Sequence, residues 1–454
     1  MHGWTPEQVA QAAAARLIAD RPRVRAGLQR AVIDSRQVAP GDLFVGLRGA
    51  RADGGRFAAQ ALAQGAWGVL TTEEHARAAL NAHGPGVIMV VEDPLKSLQS
   101  LATAWRRQLN ASVIGVTGST GKTSTKDLLN ALISPHRRSV ASQANFNTEI
   151  GLPLEILAAP EDTEVLILEM GMRGPGQIAE LAQIAEPDVG VVVSIGPVHL
   201  ELLGTIEAIA AAKGELILGL KPGGTAVIPA EEPLLEPHLR QDVHTVTFGE
   251  QGDVRLHQAQ EGRVQIDALG EAVTLEVKFT QAHMRRNLLA AVAAARAIGV
   301  APTGRVDLVL SRGRGQRLAL PGGITVIDDC YNANPVSMRA ALEDLAHTHP
   351  REAPGRRAAV LGDMLELGPQ ERSFHERLGE HATQTGLELL ITVGPLGAAI
   401  AERFDGEAHA TADAVQAAAL AQELIQPGDT VLVKASRGVG LELVVQALST
   451  EVPA

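Results

Sequence analysis

Cysteine is nearly missing from this chain. Cys330 is the single one in 454 residues, so neither an internal disulfide framework nor a cysteine-based zinc site can form. That scarcity fits a reducing compartment. Aromatic residues make up only 2% of the chain, which leaves little for stacking platforms on single-stranded nucleic acid. Basic residues are outnumbered, 40 Lys and Arg against 52 Asp and Glu, for a net charge of −12. A general nucleic-acid binder needs a basic face, so that class is disfavoured, although a local basic pocket for a small anion is not. No apolar run approaches the roughly 18 residues that a bilayer demands, and no membrane span is expected. The opening MHGWTPEQVAQ lacks a basic segment followed by an apolar one, so no signal peptide is expected. The expectation is a cytoplasmic chain.

What is present reads as α/β. At about 150 residues per domain, 454 residues suggest roughly three. Residues 1–93 alternate short apolar segments with Gly-bearing turns, as in AVIDSR, GDLFVGL and GVIMVVEDP, with helical spacing over 57–65. This predicts a small α/β domain ending near the acidic, Pro-bearing 92–94. Over 94–313 the pattern is strand, Gly-rich turn and helix, repeated. Strands are predicted at 112–117, 165–169 and 189–194, and helices at 122–133, 177–185, 206–218 and 283–298. A third α/β unit over 314–454 offers strands at 324–328, 358–361, 389–393 and 430–434 and a helix at 335–346. Alternating β and α elements favour parallel, doubly wound sheets in both larger domains, the central one of P-loop type and the last Rossmann-like.

The most informative stretch is VIGVTGSTGKTS, residues 113–124. An apolar strand runs into a glycine turn and then a helix. Gly118 and Gly121 let backbone N–H groups of Ser119, Thr120 and their neighbours turn toward phosphate oxygens, and the helix N-terminus adds partial positive charge. Lys122 can reach terminal phosphates and Thr123 can hold Mg²⁺, with Ser124 beside it. The strict pattern would need Gly at 116, where Val116 stands. Phosphate binding alone leaves kinase, ATPase, GTPase and ligase open.

Other candidates follow strands of the same domain. Glu169 ends VLILE, where a carboxylate is well placed for Mg²⁺ or is an ordinary strand-end residue. His199, in SIGPVHLE, falls on the same edge as Lys122 and Glu169. Lys213, in AAKGE, reads by default as a solvated helix residue. Asn145, Asn147 and Thr148 lie on a loop whose side chains can orient a carboxylate or phosphate, or only cap a helix.

The phosphate loop, NFNTEIGLP, GMRGPGQI, SIGPVHLELLG and AAKGEL occur in the order seen in the Mur ligases, ATP-dependent amide-forming enzymes of peptidoglycan precursor synthesis, and the chain resembles that family over nearly its whole length. DSRQVAPGDLFVGLRGARADGGRF, DDCYNANPVSMRAAL, VLGDMLELGPQERSFHERLG and LVKASRGVGLE are similar to the branch that joins D-alanyl-D-alanine to a UDP-N-acetylmuramoyl-tripeptide. The resemblance implies a monomer acting in cell-wall synthesis, and so in cell shape and division. Its first domain would hold the uridine diphosphate end through Asp34, Ser35, Arg36 and Arg48. Its central domain would bind ATP and two Mg²⁺ ions, one served by Thr123 and Glu169, the other by His199 and Lys213. The lysine matching Lys213 is carbamylated in this family, which makes electrostatic sense because an ammonium repels Mg²⁺ whereas a carbamate offers anionic oxygens. Asn287 matches a residue facing adenine, and Arg314 an arginine contacting the phosphates. Asp329, Tyr331 and Asn332 would line the ribose and phosphate side. Lys434, Ser436 and Arg437 match the third domain's basic cluster, with Ala435 where Gly is usual, as Thr148 stands where a second Asn is common. Asp363 and His375 are candidates for orienting the incoming amine, or a helix cap and a surface histidine.

The implied reaction activates a substrate carboxylate as an acyl phosphate, which the dipeptide amine then attacks. Competing expectations are another amide ligase of the same fold, such as a folylpolyglutamate synthase, a P-loop kinase or nucleotide switch, and a nucleotide-binding scaffold.

Overall fold

The computed structural model describes residues 3–21, 27–50, 52–81, 85–143, 146–260, 262–347 and 355–450. They form three sheets, each carrying helices. The first has five strands in the spatial order Arg16–Arg21, Gly86–Val90, Gly68–Thr71, Leu43–Val45, Ala31–Val32. All neighbours are parallel except Arg16–Arg21, which runs antiparallel to Gly86–Val90. Every residue of Gly86–Val90 is buried, as befits a strand covered on both faces.

Asp93 does not begin an open linker. Its side chain accepts from Leu95 N at 2.9 Å and Lys96 N at 3.2 Å, and Pro94 occupies the first turn, so a helix starts there and runs Pro94–Leu109. Trp105 on this helix is fully buried, donates from Nε1 to Ala159 O at 3.1 Å, and meets the Trp4 ring edge-on at 5.5 Å. One apolar cluster therefore runs from Val9 through Trp105 to Leu216, and the first and central sheets share a core.

The central sheet has ten strands. In spatial order they are Gly304–Arg305, Glu271–Glu276, Arg263–Ala268, Val254–Gln260, His244–Phe248, Thr225–Pro229, Val189–Val192, Ser112–Thr117, Val165–Glu169 and Ser139–Ala141. From Ser139–Ala141 to His244–Phe248 every pairing is parallel. The predicted helices over 122–133, 177–185 and 206–218 form at Lys122–Ile133, Gln177–Ala185 and Ile206–Leu218, and Ala282–Ala297 forms near 283–298.

The expectation of a wholly parallel sheet needs correction. Residues 254–276 add three strands as an antiparallel meander. Their side chains alternate, with Val264, Ile266 and Ala268 buried and Arg263 and Gln265 exposed, the period of a sheet with one wet face. The tight turn joining the last two has positive φ at Leu269 (59°) and Gly270 (82°), which matches the twist of a hairpin.

The third sheet has six strands in the order Gln316–Ala319, Thr325–Asp328, Thr430–Lys434, Arg357–Gly362, Leu389–Val393, Glu407–Thr411. It too is mixed, because the edge strand Gln316–Ala319 pairs antiparallel with Thr325–Asp328 while the rest are parallel.

Replacing Trp105 by Ala deletes a buried ring and leaves the Ala159 carbonyl without its donor. Such a change costs about 3–5 kcal/mol. Chemical denaturation of Trp105→Ala is expected to show a lowered midpoint for the transition of the first and central sheets.

Candidate active site

The strand Ser112–Thr117 lies between Val189–Val192 and Val165–Glu169, so the chain departs to opposite sides from its C-terminal end. That edge of an open α/β sheet is where a crevice forms. The glycine turn occupies it. Gly118 has φ of 154°, and a Cβ there would lie 3.1 Å from Ser194 N. Gly121 has φ of 80°, and a Cβ there would lie 2.6 Å from Asn287 Oδ1. Both positions therefore need glycine. Ser119 N donates to Ser194 O at 2.9 Å and Thr120 N to Ser194 Oγ at 2.9 Å, so these two amides fasten the turn to the neighbouring strand end. The N–H groups of the first turn of Lys122–Ile133 have no partner within the helix and remain for an anion. Lys122 Nζ donates to Gly118 O at 2.8 Å, arching back over the turn.

Glu169 is buried and held from three sides. Oε2 accepts from Thr123 Oγ1 at 2.8 Å, Oε1 from Asn147 Nδ2 at 2.9 Å, and its backbone N donates to Ser142 Oγ at 2.9 Å. Hydroxyl and carboxylate oxygens together are the donor set that Mg²⁺ takes. Lys213, inside the helix Ile206–Leu218, is 2% exposed, and its side chain makes no hydrogen bond or ion pair among the described residues. Burial, and then the Lys122 charge, hold its amine well below the usual lysine range. Lys122 is lowered too, chiefly by burial, with Glu169 opposing and Arg314 reinforcing. His199 Nδ1 lies 2.5 Å from Glu366 Oε2 of the third sheet's unit. Burial lowers His199, against the opposing pull of Glu366.

Two cavities meet at the glycine turn. One, of about 540 Å³, is lined by Thr120, Gly121, Ser124, His283, Asn287 and Lys434 among others. The second, of about 800 Å³, is lined by Ser119, Lys122, Asn147, Thr148, Glu169, His199, Lys213, Tyr331, Asn332, Glu366, Ser436 and Arg437 among others. Arg314 borders both. Its guanidinium sits over the Tyr331 ring at 4.1 Å, and Arg437 covers the same ring at 5.1 Å and donates to its hydroxyl at 3.2 Å. Tyr331 thus carries two arginines. Asp329, on the rim of the smaller cavity, accepts from Lys434 Nζ at 2.6 Å.

Several expected residues lie elsewhere. Asn145 is outside the described residues. Asp34, Ser35, Arg36 and Arg48 belong to the first sheet's unit and line neither cavity. Asp34 pairs with Arg36 at 2.7 Å, which holds its carboxyl down at about 2, while Arg48 reaches Asp53 at 3.5 Å. Asp363 and His375 do not line the cleft either. Asp363 Oδ1 accepts from Gly397 N at 2.6 Å at the start of the helix Gly397–Ala401. His375 is no surface residue. It is fully buried, its Nε2 accepts from Met364 N at 2.9 Å, and its Nδ1 faces Glu371 O at 2.7 Å. Both therefore shape the loop that carries Glu366. Among the described residues the trio of metal-competent groups Asp53, Glu74 and His75 lies in the first sheet's unit, away from the glycine turn.

Sequence reasoning passed over His283, Ser142 and Glu366. His283 sits four residues before Asn287 on one helix, hence on the same face, a spacing that could have found it. Ser142 and Glu366 gave no such sign.

Three family models match in chain order. The Mur ligase family, catalytic domain, covers 30–106, the Mur ligase middle domain 116–295, and the Mur ligase, glutamate ligase domain, 313–437. The chain belongs to the Mur ligase family. It is 38% identical over 430 residues to the UDP-N-acetylmuramoyl-tripeptide–D-alanyl-D-alanine ligase of Bacillus subtilis, covering 91% of this chain and 92% of that one. Its fold matches MurF of Acinetobacter baumannii with a TM-score of 0.86, 26% identity and 99% of each chain covered. It also matches MurF of Thermotoga maritima in complex with ADP, with a TM-score of 0.78, 32% identity, and 93% and 98% covered.

Burial lowers His375 from its ordinary 6.5, against the opposing pull of the Glu371 carbonyl and Asp363, and a protonated ring could not accept from Met364 N. The unfolded chain then binds more protons below that value, so stability is full above it and falls as pH drops. The thermal midpoint of His375→Gln, whose amide oxygen can replace Nε2, is expected to lose less than the wild type between pH 6.5 and 5.

Proposed function

We propose that the chain ligates D-alanyl-D-alanine to the tripeptide carboxylate of UDP-N-acetylmuramoyl-tripeptide, with ATP becoming ADP and phosphate, in peptidoglycan synthesis. The observation that carries this reading is that the glycine turn partitions two cavities. Thr120, Gly121 and Ser124 face one, Ser119 and Lys122 the other, and Arg314 borders both. A nucleotide seated in the smaller cavity places its terminal phosphate at the partition. A carboxylate entering from the larger one meets it in line.

The residues divide accordingly. His283, Asn287 and Asp329 line the smaller cavity and take the base and sugar side of the nucleotide, while Tyr331 and Asn332 line the larger one and stand toward its phosphate end. Gly118 to Ser124 take the phosphates, with Arg314 closing over them. Asn147 and Thr148 orient the tripeptide, while Ser436 and Arg437, in the larger cavity, receive the dipeptide; Lys434 lines the smaller cavity, where it holds Asp329. Asp34, Ser35, Arg36 and Arg48 hold the uridine diphosphate end. The corresponding division of the chain is 1–93, 94–313 and 314–454. All of these come from one chain, so a monomer suffices. ATP and a UDP-linked precursor are supplied inside the cell, which assigns the reaction to the cytoplasm.

Thr123 and Glu169 fit one Mg²⁺. His199 and Lys213 fit a second only when the lysine bears a carboxyl group, because a buried ammonium would repel the ion. A buried, neutral-leaning amine can attack the carbon of CO₂; the N–C bond forms, a proton leaves the nitrogen, and a carbamate results. The ions supply neutralisation of the phosphates' charge.

A carboxylate oxygen of the tripeptide attacks the γ-phosphorus, the bond to ADP breaks, and an acyl phosphate forms. Lys122 and Arg314 offset the anionic charge that builds there. The dipeptide nitrogen then attacks the acyl carbon, the C–N bond forms, the C–O bond to phosphate breaks, and one proton leaves the nitrogen. Water would compete for the acyl phosphate, so the third domain's Tyr331, Arg437 and Glu366 must cover the larger cavity first.

Lys122→Ala is expected to lower ATP-dependent amide formation by at least about a hundredfold at an unchanged melting temperature. Retained turnover overturns the reading. For Lys213, ¹³C-labelled CO₂ is expected to give a carbamate resonance near neutral pH that Lys213→Ala lacks.

A further inference from the structure

The third sheet's unit touches the middle one through a pair of strained residues. His199 has φ of 54° and Glu366 φ of 64°, a region that side-chain-bearing residues seldom adopt. The two segments also seat backbone on backbone. Glu201 N donates to Glu366 O at 3.3 Å, and a Cβ on Gly368 would come within 3.3 Å of Glu201 backbone. The loop bearing Glu366 is fixed from behind, since Leu365 N donates to Ser436 Oγ at 2.9 Å and Met364 N to His375 Nε2 at 2.9 Å. This bracing delivers one carboxylate oxygen to within 2.5 Å of His199 Nδ1, with Arg173 Nε 3.7 Å from the other oxygen.

A carboxylate oxygen accepts, so the Nδ1 of His199 carries the proton. Nε2 then keeps its lone pair for the cavity that Glu169 and Lys213 also line. A histidine that donates one ring N–H to a carboxylate is oriented and made more basic at the other nitrogen, which is how proteins ready histidine for a metal. We propose that Glu366 is the positioning residue by which the third domain completes the metal site of the middle domain, fixing the tautomer and ring orientation of His199. This rests on the reading of His199 as a metal ligand. By reciprocity, an ion on His199 favours the seated third domain as much as the seated domain favours the ion.

The test measures Mn²⁺ binding by electron paramagnetic resonance on the full chain, with a non-hydrolysable ATP analogue present. Glu366→Ala is expected to weaken the second Mn²⁺ by roughly ten- to a hundredfold. Glu366→Gln, whose amide oxygen still accepts from Nδ1, loses less. Glu366 is only part-buried, so both variants are expected to melt as the wild type does. A second readout needs no metal. The ¹⁵N spectrum of His199 is expected to show Nδ1–H in wild type and a tautomer mixture in Glu366→Ala. Equal Mn²⁺ affinity within twofold in wild type and Glu366→Ala, or an unchanged tautomer, overturns the positioning role. A wild type that binds nucleotide but no Mn²⁺ beside it overturns the metal assignment beneath it.

Discussion

Lys213 is 2% exposed, and the charge that acts on its amine most is another cation, Lys122. Taking an ammonium out of water costs several kcal/mol unless an anion answers it. Nothing among the described residues does. Burial and Lys122 both disfavour its charged form, which changes what the cavity attracts. A neutral amine leaves Glu169 as the chief local charge against Lys122 and Arg314, whereas the carbamate proposed above would put anionic oxygens in place of a repulsive spot. The surroundings follow from this constraint. The glycine turn, the triply held Glu169 and the arginines stacked on Tyr331 are each positioned at strand or helix ends, where partial charges and flexible loops can answer an anion.

How much of this is legible in the sequence depends on the range of the signal. Buried parallel strands announce themselves as unbroken apolar runs, so VLILE and the strand before the glycine turn were readable to the residue. The meander over 254–276 was equally readable, since its side chains alternate with period two, yet the surrounding strand–helix rhythm masked it. The phosphate loop is local and needs no partner to be recognised. His283 is local as well, one turn from Asn287. Glu366 is different. Its meaning comes from a contact 167 positions away with His199, and no spacing rule reaches that far.

Asp363 and His375 illustrate the opposite failure. A carboxylate and an imidazole in neighbouring motifs look like an acid–base pair. The fold uses both as internal struts, because a loop that must leave the sheet and return has backbone N–H groups that something has to accept. Their chemistry is exhausted by Met364 and Gly397. What they secure is the path of residues 363–368, and through it the place of Glu366.

The same economy links the glycine turn to the connection between the second and third sheets. Glu169 N bonds to Ser142 Oγ, Ser142 O accepts from Lys126 Nζ, Lys126 pairs with Asp127 at 2.8 Å, and Asp127 accepts from Ser311 N at 2.9 Å. Lys126 and Asp127 lie on the helix that opens with Lys122, and Ser311 lies in the connection that leads, three residues on, to Arg314. The connection is thus clamped to the helix whose first-turn N–H groups have no partner within the helix. Arg314 follows the clamped Ser311 by three residues, and it borders both cavities. Gly313 and Gly315, with φ of 70° and 79°, supply the backbone freedom on either side of it. The clamp on one side and the two glycines beside it together set where Arg314 stands, at the border of both cavities.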